Sequence, residues 1–230
     1  MISPIRATVA LFSLASLCAL AACGDSSVTN VPNTATVRFA NATDSSIDET
    51  SAAVVDPGNG NLGFGQSSTC TAANTSGTSG LGIGFNQAGT TTSIPGFTQT
   101  FASGGNYTVV AYPGSDGTTQ FLNVDNAGFT PTTGNAGLRV VNGASAIGSV
   151  VAVGPDSALG TGATVGFGTA GNFMNVPADS LAVTLNTGAG TSTVADAGTL
   201  VLIAGQNYTL VVAPPVSGSA TYRTFLVTGC

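Results

Sequence analysis

Apolar and polar positions alternate along most of this chain in short runs, and clusters of glycine, proline, asparagine and serine separate one run from the next. A period of two puts alternate side chains on opposite faces of an extended segment, so the runs predict strands and the clusters predict turns. The strands expected first are residues 36–42, 51–55, 62–65, 81–85, 98–101, 106–112 and 118–124. A second series follows at 137–142, 149–153, 164–168, 172–176, 181–186, 199–203, 208–213 and 221–228. Residues 66–80, rich in Ser, Thr, Asn and Gly, read as a long exposed loop, and Pro113-Gly-Ser-Asp-Gly117 as the turn of a hairpin. Seven or eight short strands per series is the pattern of a two-sheet sandwich.

The two series are copies of one unit. Phe101-Ala-Ser-Gly-Gly-Asn-Tyr107-Thr-Val-Val recurs as Leu202-Ile-Ala-Gly-Gln-Asn-Tyr208-Thr-Leu-Val, an offset of 101 residues that also joins Arg38 to Arg139. Around the arginines, Ala35-Thr-Val-Arg38-Phe-Ala-Asn41 matches Ala136-Gly-Leu-Arg139-Val-Val-Asn142, and Leu62-Gly-Phe64-Gly matches Val165-Gly-Phe167-Gly at a shift of 103. A repeat about one domain long points to duplication. In each copy an apolar residue, a glycine turn and a tyrosine resemble the tyrosine corner of Greek-key sandwiches, whose hydroxyl bonds back to backbone a few residues upstream. Tyr107, Tyr208, Arg38 and Arg139 are therefore read as structural, each arginine facing outward to solvent, lying across its sheet and pairing with a neighbouring carboxylate. The second copy, through Leu138-Arg139-Val-Val-Asn142, Val165-Gly-Phe167-Gly168-Thr169, Asn175-Val-Pro177-Ala178 and Ala204-Gly205-Gln-Asn-Tyr208, resembles the domain-of-unknown-function family 4397. The first copy matches only at its ends. That resemblance implies a β-sandwich repeat of exported bacterial envelope proteins, and it carries no functional residue over.

Composition sharpens this picture. Only 6% of residues are charged and 43% are hydrophobic, with 32 glycines, no histidine and no tryptophan. Solvent-facing positions must then be filled by Thr, Ser, Asn and Gly, which suit strands and tight turns. A net charge of −6 with no lysine argues against nucleic acid, because phosphate neutralisation needs clustered cations and the arginines beyond Arg6 are scattered.

The N-terminus carries Arg6 and an apolar run over 7–20, too short to span a bilayer, ending in Leu20-Ala21-Ala22-Cys23-Gly24. That ending resembles the lipobox of bacterial lipoproteins, which implies diacylglycerol on the Cys23 sulfur, cleavage after Ala22 and acylation of the new amine. Gly24 following the cysteine favours the outer membrane of a diderm bacterium under the sorting rule for that class. An ordinary secretory signal is the competing reading, since Ala19-Leu20-Ala21 fits a small-x-small site. The organisation expected is a signal peptide at 1–22, a lipidated N-terminus and tether at 23–34, a first sandwich at 35–126, a linker at 127–135 and a second sandwich at 136–230. In fold class this is all-β, with two tandem immunoglobulin-like (Greek-key) β-sandwich domains after a lipoprotein signal peptide.

Chemistry is sparse. Without histidine or lysine there is no Ser-His or Cys-His pair and no amine base. Carboxylate pairs at Asp48-Glu49 or Asp156 with Asp179 could in principle act as in glycosidases, but their turn-like surroundings favour solvated carboxylates. Asp56 and Asn59 could offer oxygens to calcium, yet no loop has the acidic density of a calcium motif. Gly58-Asn-Gly60-Asn-Leu-Gly63 matches a dinucleotide fingerprint only formally, with no helix to follow. No catalytic residue, metal ligand or cofactor is assigned. Cys70 and Cys230 remain as a candidate disulfide, with free thiols and intermolecular bonds as alternatives.

The function expected is a non-enzymatic envelope lipoprotein serving as a structural, adhesion or interaction module, anchored to the membrane through Cys23. Strand edges without lysine gatekeepers allow strand addition to an envelope partner or self-association. The alternative is a carbohydrate-binding module using exposed aromatics such as Tyr112, Phe129 or Tyr222.

Overall fold

The alternating runs are strands in a computed structural model of the chain, which describes residues 34–51, 54–55, 58–74, 83–97, 101–154, 164–188 and 192–230. The first half contains β1 (Thr34–Asn41), β2 (Ile47–Ser51), β3 (Val54–Val55), β4 (Thr71–Asn74), β5 (Ile83–Gln87), β6 (Asn106–Pro113) and β7 (Thr119–Asp125). The second contains β8 (Asn135–Asn142), β9 (Ser149–Val153), β10 (Val165–Gly166), β11 (Thr169–Ala170), β12 (Met174–Pro177), β13 (Asp179–Thr187), β14 (Thr193–Leu202), β15 (Asn207–Ala213) and β16 (Arg223–Thr228). Among the described residues the one helical element is a 3₁₀ turn at Ser145–Ile147. The protein is all-β.

Each half is built from two sheets. In the first, β4-β1-β6-β7 faces β3-β2-β5; in the second, β11-β8-β15-β16, with β12 also on β8, faces β10-β9-β13-β14. The duplication holds residue by residue. β1 runs parallel to β6 with Val37 opposite Tyr107, and β8 runs parallel to β15 with Leu138 opposite Tyr208. Likewise Ile47 bridges Leu62 in one half, and Val150 pairs with Val165 in the other.

Three apolar layers hold the sheets together. Val37, Phe39, Ile47, Phe85 and Val109 fill the space between the two sheets of the first half. Aromatic contacts dominate there, with Phe39 and Phe121 on either side of Phe85 at 4.4 and 4.9 Å. Leu138, Val183, Leu185 and Leu210 fill the second half, which is mainly aliphatic. The third layer joins the halves: Ala40, Ala42, Val110 and Val124 from the first pack with Val141, Val211, Ala213 and Val227 from the second. Two sheets, here called the inner ones, β4-β1-β6-β7 and β11-β8-β15-β16, are therefore apolar on both faces. Along β6, Val109 points into one layer and Val110 into the next. Strands covered on both faces read as continuous apolar runs, as Val109-Val110-Ala111 and Leu210-Val211-Val212-Ala213 do. The described residues accordingly form one compact unit. The segment 127–135, read as a linker, leads from β7 into β8, whose first residue is Asn135, and the halves on either side of it share this layer.

Several strand expectations need correction. The loop expected at 66–80 contains β4, where Ala73 is buried against β1 and Ala72 is exposed. Alanine between polar residues gives too weak an alternation to show in sequence. The strand expected at 51–55 is two: β2 runs over Ile47–Ser51, with Asp48, Glu49 and Thr50 buried, and β3 at Val54–Val55 pairs back onto its end antiparallel. Residues 62–65 contribute only the Leu62 bridge. The strand expected at 199–203 starts at Thr193, and the short β11 had no counterpart in the expected series. Residues 52–53, 81–82 and 98–100, which fall in expected strands, lie outside the described residues.

Candidate functional site

The polar groups that recur in both halves converge on the seam between the inner sheets and on the two tyrosine crossovers. At each crossover a glycine with positive φ, Gly104 at 73° and Gly205 at 79°, turns the chain in a way a side chain would strain. The turn brings the phenol back onto its own approach strand. Ala102 N–H donates to the Tyr107 hydroxyl at 3.0 Å, and Ile203 N–H donates to the Tyr208 hydroxyl at 3.0 Å. Both rings are buried, so each bond closes the entry to β6 or β15 away from bulk water.

Asn41 and Asn142 end β1 and β8 with no exposed surface. Asn41 donates to the Leu62 carbonyl at 2.8 Å and accepts from Thr43 N–H at 2.8 Å. Asn142 repeats this with the Val165 carbonyl at 3.3 Å and Ala144 N–H at 3.0 Å. A buried amide bonded in this way shapes the turn and fixes the neighbouring strand. The shared position of Asn41 and Asn142 in the repeated motif was the sequence signal for this role.

The arginines depart from expectation. They were expected on a solvent-facing side of the sheet, but that side is the seam. Arg139, only 3% exposed, donates from Nε to Thr209 Oγ1 at 3.0 Å, from Nη1 to the Asp125 carbonyl at 2.6 Å and from Nη2 to Asn126 Oδ1. Its guanidinium also lies 4.2 Å from the Phe173 ring centre. Burial pulls its pKa down to about 10, and the Asp125 charge opposes that shift, so the group stays cationic at neutral pH. Arg38 reaches the other way, from Nη1 to the Thr228 carbonyl at 2.6 Å and from Nη2 to Cys70 Sγ at 3.2 Å. Burial lowers its pKa too. Asp125 and Thr228 are themselves equivalent, being the residues opposite Tyr107 and Tyr208. Each half thus sends one arginine to the closing carbonyl of the other. A third, Arg223, bonds Asp44 across the seam at 2.7 Å, stacks over Phe64 at 3.7 Å and donates to the Pro214 carbonyl. Scattered in sequence, all three lie along the seam, and each bonds a group of the other half.

Cys70 and Cys230 are joined as a disulfide, fastening the last residue to the start of β4. On the opposite flank the equivalent of Cys70 is Phe173, whose ring stacks on Phe129 at 5.1 Å. One flank is closed covalently and the other by an aromatic pair. Two open clefts mark these flanks. One of about 160 Å³ is lined by Asn106, Asn126, Asn207 and Cys230, and one of about 280 Å³ by Asp125, Phe129, Arg139 and Phe173. In the second, the guanidinium is bonded on all three nitrogens, so the cleft offers ring surface rather than free positive charge.

The remaining candidates are not assembled into a site. Asp48 and Glu49 are consecutive on β2 and so project to opposite faces. Asp48 accepts from Asn61 N–H at 2.5 Å and Gly89 N–H at 2.8 Å, which fixes two loops. Asp156 lies outside the described residues, and Asp179 is an exposed residue at the start of β13 with φ 111°. Asp56 also lies outside them, while Asn59 is buried and bonded to Thr69 and Thr71. Among the described residues no group of three or more His, Cys, Asp or Glu could hold a metal ion. Of the aromatics expected to be exposed, Tyr112 is buried edge-on to Phe167, Phe129 stacks on Phe173, and Tyr222 packs against the second core. The shared third layer, invisible when each half is considered alone, is what covers Tyr112. Cys23, the lipidation candidate, and the signal segment lie outside the described residues. No helix among the described residues is long and apolar enough to cross a membrane. No protein-family model matches the chain, and comparison with curated proteins gives no match.

Proposed function

We propose that this chain is an exported lipoprotein, held through lipid on Cys23 to the outer membrane of a diderm bacterium, whose doubled β-unit is a non-enzymatic structural and protein-interaction module. The observation that carries the proposal is the seam: every arginine of the folded unit and its disulfide tie one half to the other. Side chains that in an enzyme would face a substrate here hold carbonyls and loops. The disulfide supports an oxidising compartment, as a lipobox signal requires. The matching registers of the two halves support a duplicated unit of the kind that family 4397 implies, and membership in that family is part of the proposal.

Metabolic labelling with an alkyne fatty acid tests the anchor. Wild-type chain should take up label and fractionate with outer membrane, and Cys23→Ser should do neither. Label retained by Cys23→Ser, or absent from wild type, overturns the lipoprotein reading. Cross-linking in the native envelope with mass spectrometry tests the interaction role, which an absence of any protein adduct would refute.

A further inference from the structure

The duplication lets the start of one strand edge be compared in both halves, since the segment after β5 is the counterpart of β14. In the first half, the segment beyond β5 pairs only briefly, through Gln87 N–H to the Thr92 carbonyl and Ile94 N–H to the Phe85 carbonyl, and then turns at Pro95-Gly96. Proline cannot donate to a ladder and ends the strand. At the offset of 101 the second half has Asp196-Ala197, and the strand continues as β14, ten residues long at the edge of its sheet. Its first part is still blunted. Gly198 takes φ 67°, its N–H is bonded to Asp196 Oδ1 at 2.7 Å, and Asp196 contributes a charge. From Thr199 to Ile203 there is neither charge nor proline, and Val201 and Ile203 are 69% and 64% exposed. The corresponding Ala102 is small.

We propose that this segment adds, antiparallel, to the same segment of a second copy, joining two outer sheets across a twofold axis at Val201. The occupant and the register follow from facing and charge. Val201 lies on the solvent face while Leu200 and Leu202 face the core, so residues of one face must meet residues of the same face. Only a self-pairing centred on a residue satisfies this with the apolar run intact: Val201 meets Val201, Thr199 meets Ile203, and Leu200 meets Leu202. That register leaves the two Asp196 carboxylates roughly 33 Å apart along the ladder, at about 3.3 Å per residue and beyond the Debye length. Pairing centred on Thr193–Gly198 would set them side by side. The edge is thus complementary to itself. This inference rests on the proposed interaction role and names its partner; anchoring in one membrane plane would raise the effective concentration of copies.

Photo-cross-linking of the full-length chain in its native envelope tests it, with benzoylphenylalanine at Val201 and, as a control, at the exposed turn residue Val216. We expect a product of twice the monomer mass from position 201, mapping to residues 199–203, and none from 216. With the probe at 201, T199K/I203K sets like charges opposite one another and should lower the product about tenfold, whereas T199K/I203E should retain it. Both positions are exposed, and circular dichroism of the variants confirms folding. A product with a different protein would overturn the self-pairing and leave the interaction role standing. No product at 201, or equal products from T199K/I203K and T199K/I203E, would also overturn the self-pairing. The interaction role would fall only if chemical cross-linking of the whole envelope also gave no adduct.

Discussion

Replacing Arg139 with methionine removes the most buried tie across the seam while keeping an unbranched apolar stem. Three donated bonds disappear, to Thr209, the Asp125 carbonyl and Asn126, and acceptors in both halves lose their partner. Bonds to a charged group contribute about 1.5–3 kcal/mol each. Against them stands the cost of burying the guanidinium, roughly 3 kcal/mol, from a pKa pulled down to about 10. The net loss should be about 3 kcal/mol, at the lower end of what breaking a buried ionic contact costs. With a urea dependence of about 2 kcal/mol per molar, the midpoint should fall by about 1.5 M. Arg38→Met should cost less, about 1 kcal/mol, because that side chain is only half-buried and makes one strong carbonyl bond. Because the chain has no tryptophan, far-UV circular dichroism and tyrosine fluorescence are the probes. A loss below about 0.5 kcal/mol for Arg139→Met, typical of an exposed site, would refute the seam as described.

Further consequences can be checked on the same protein. Tyr208→Phe should destabilise by about 1 kcal/mol, the worth of one buried hydrogen bond, and an unchanged denaturation midpoint would contradict the corner. Tyr107→Phe should cost a similar amount, with the two effects additive because the corners share no partner. Cys70→Ser should lower stability by up to about 5 kcal/mol, since the bond closes a loop 160 residues apart, and a calorimetric shift of less than a degree would speak against a constraint of that size. Gly143→Ala would put a Cβ 2.9 Å from Tyr112 Cβ and 3.0 Å from the Val212 carbonyl, at a cost of about 1–3 kcal/mol by thermal denaturation.

The strands and the duplication were legible because both are local patterns. The Phe101–Tyr107 and Leu202–Tyr208 spacing corresponds to the hydrogen bond each tyrosine makes. What local pattern could not reveal was the third apolar layer. Val109-Val110-Ala111 and Leu210-Val211-Val212-Ala213 carry its signature, a run with no polar alternate, but a β-branched run alone does not say what covers its second face. The same gap misplaced Arg38, Arg139 and Tyr112, whose positions depend on a partner sheet about a hundred residues away. β4 was lost for a different reason: Thr71-Ala-Ala-Asn74 has almost no hydrophobic contrast, and only its pairing with β1, mirrored by β12 on β8, marks it.

The joining of the two halves through one buried layer is tested most directly by methyl NOE spectroscopy on isotope-labelled protein. Cross-peaks should connect methyls of Ala40, Val110 and Val124 with those of Val141, Val211 and Val227, and both halves should tumble with one correlation time. Methyls without such cross-peaks, in halves that reorient independently, would contradict it.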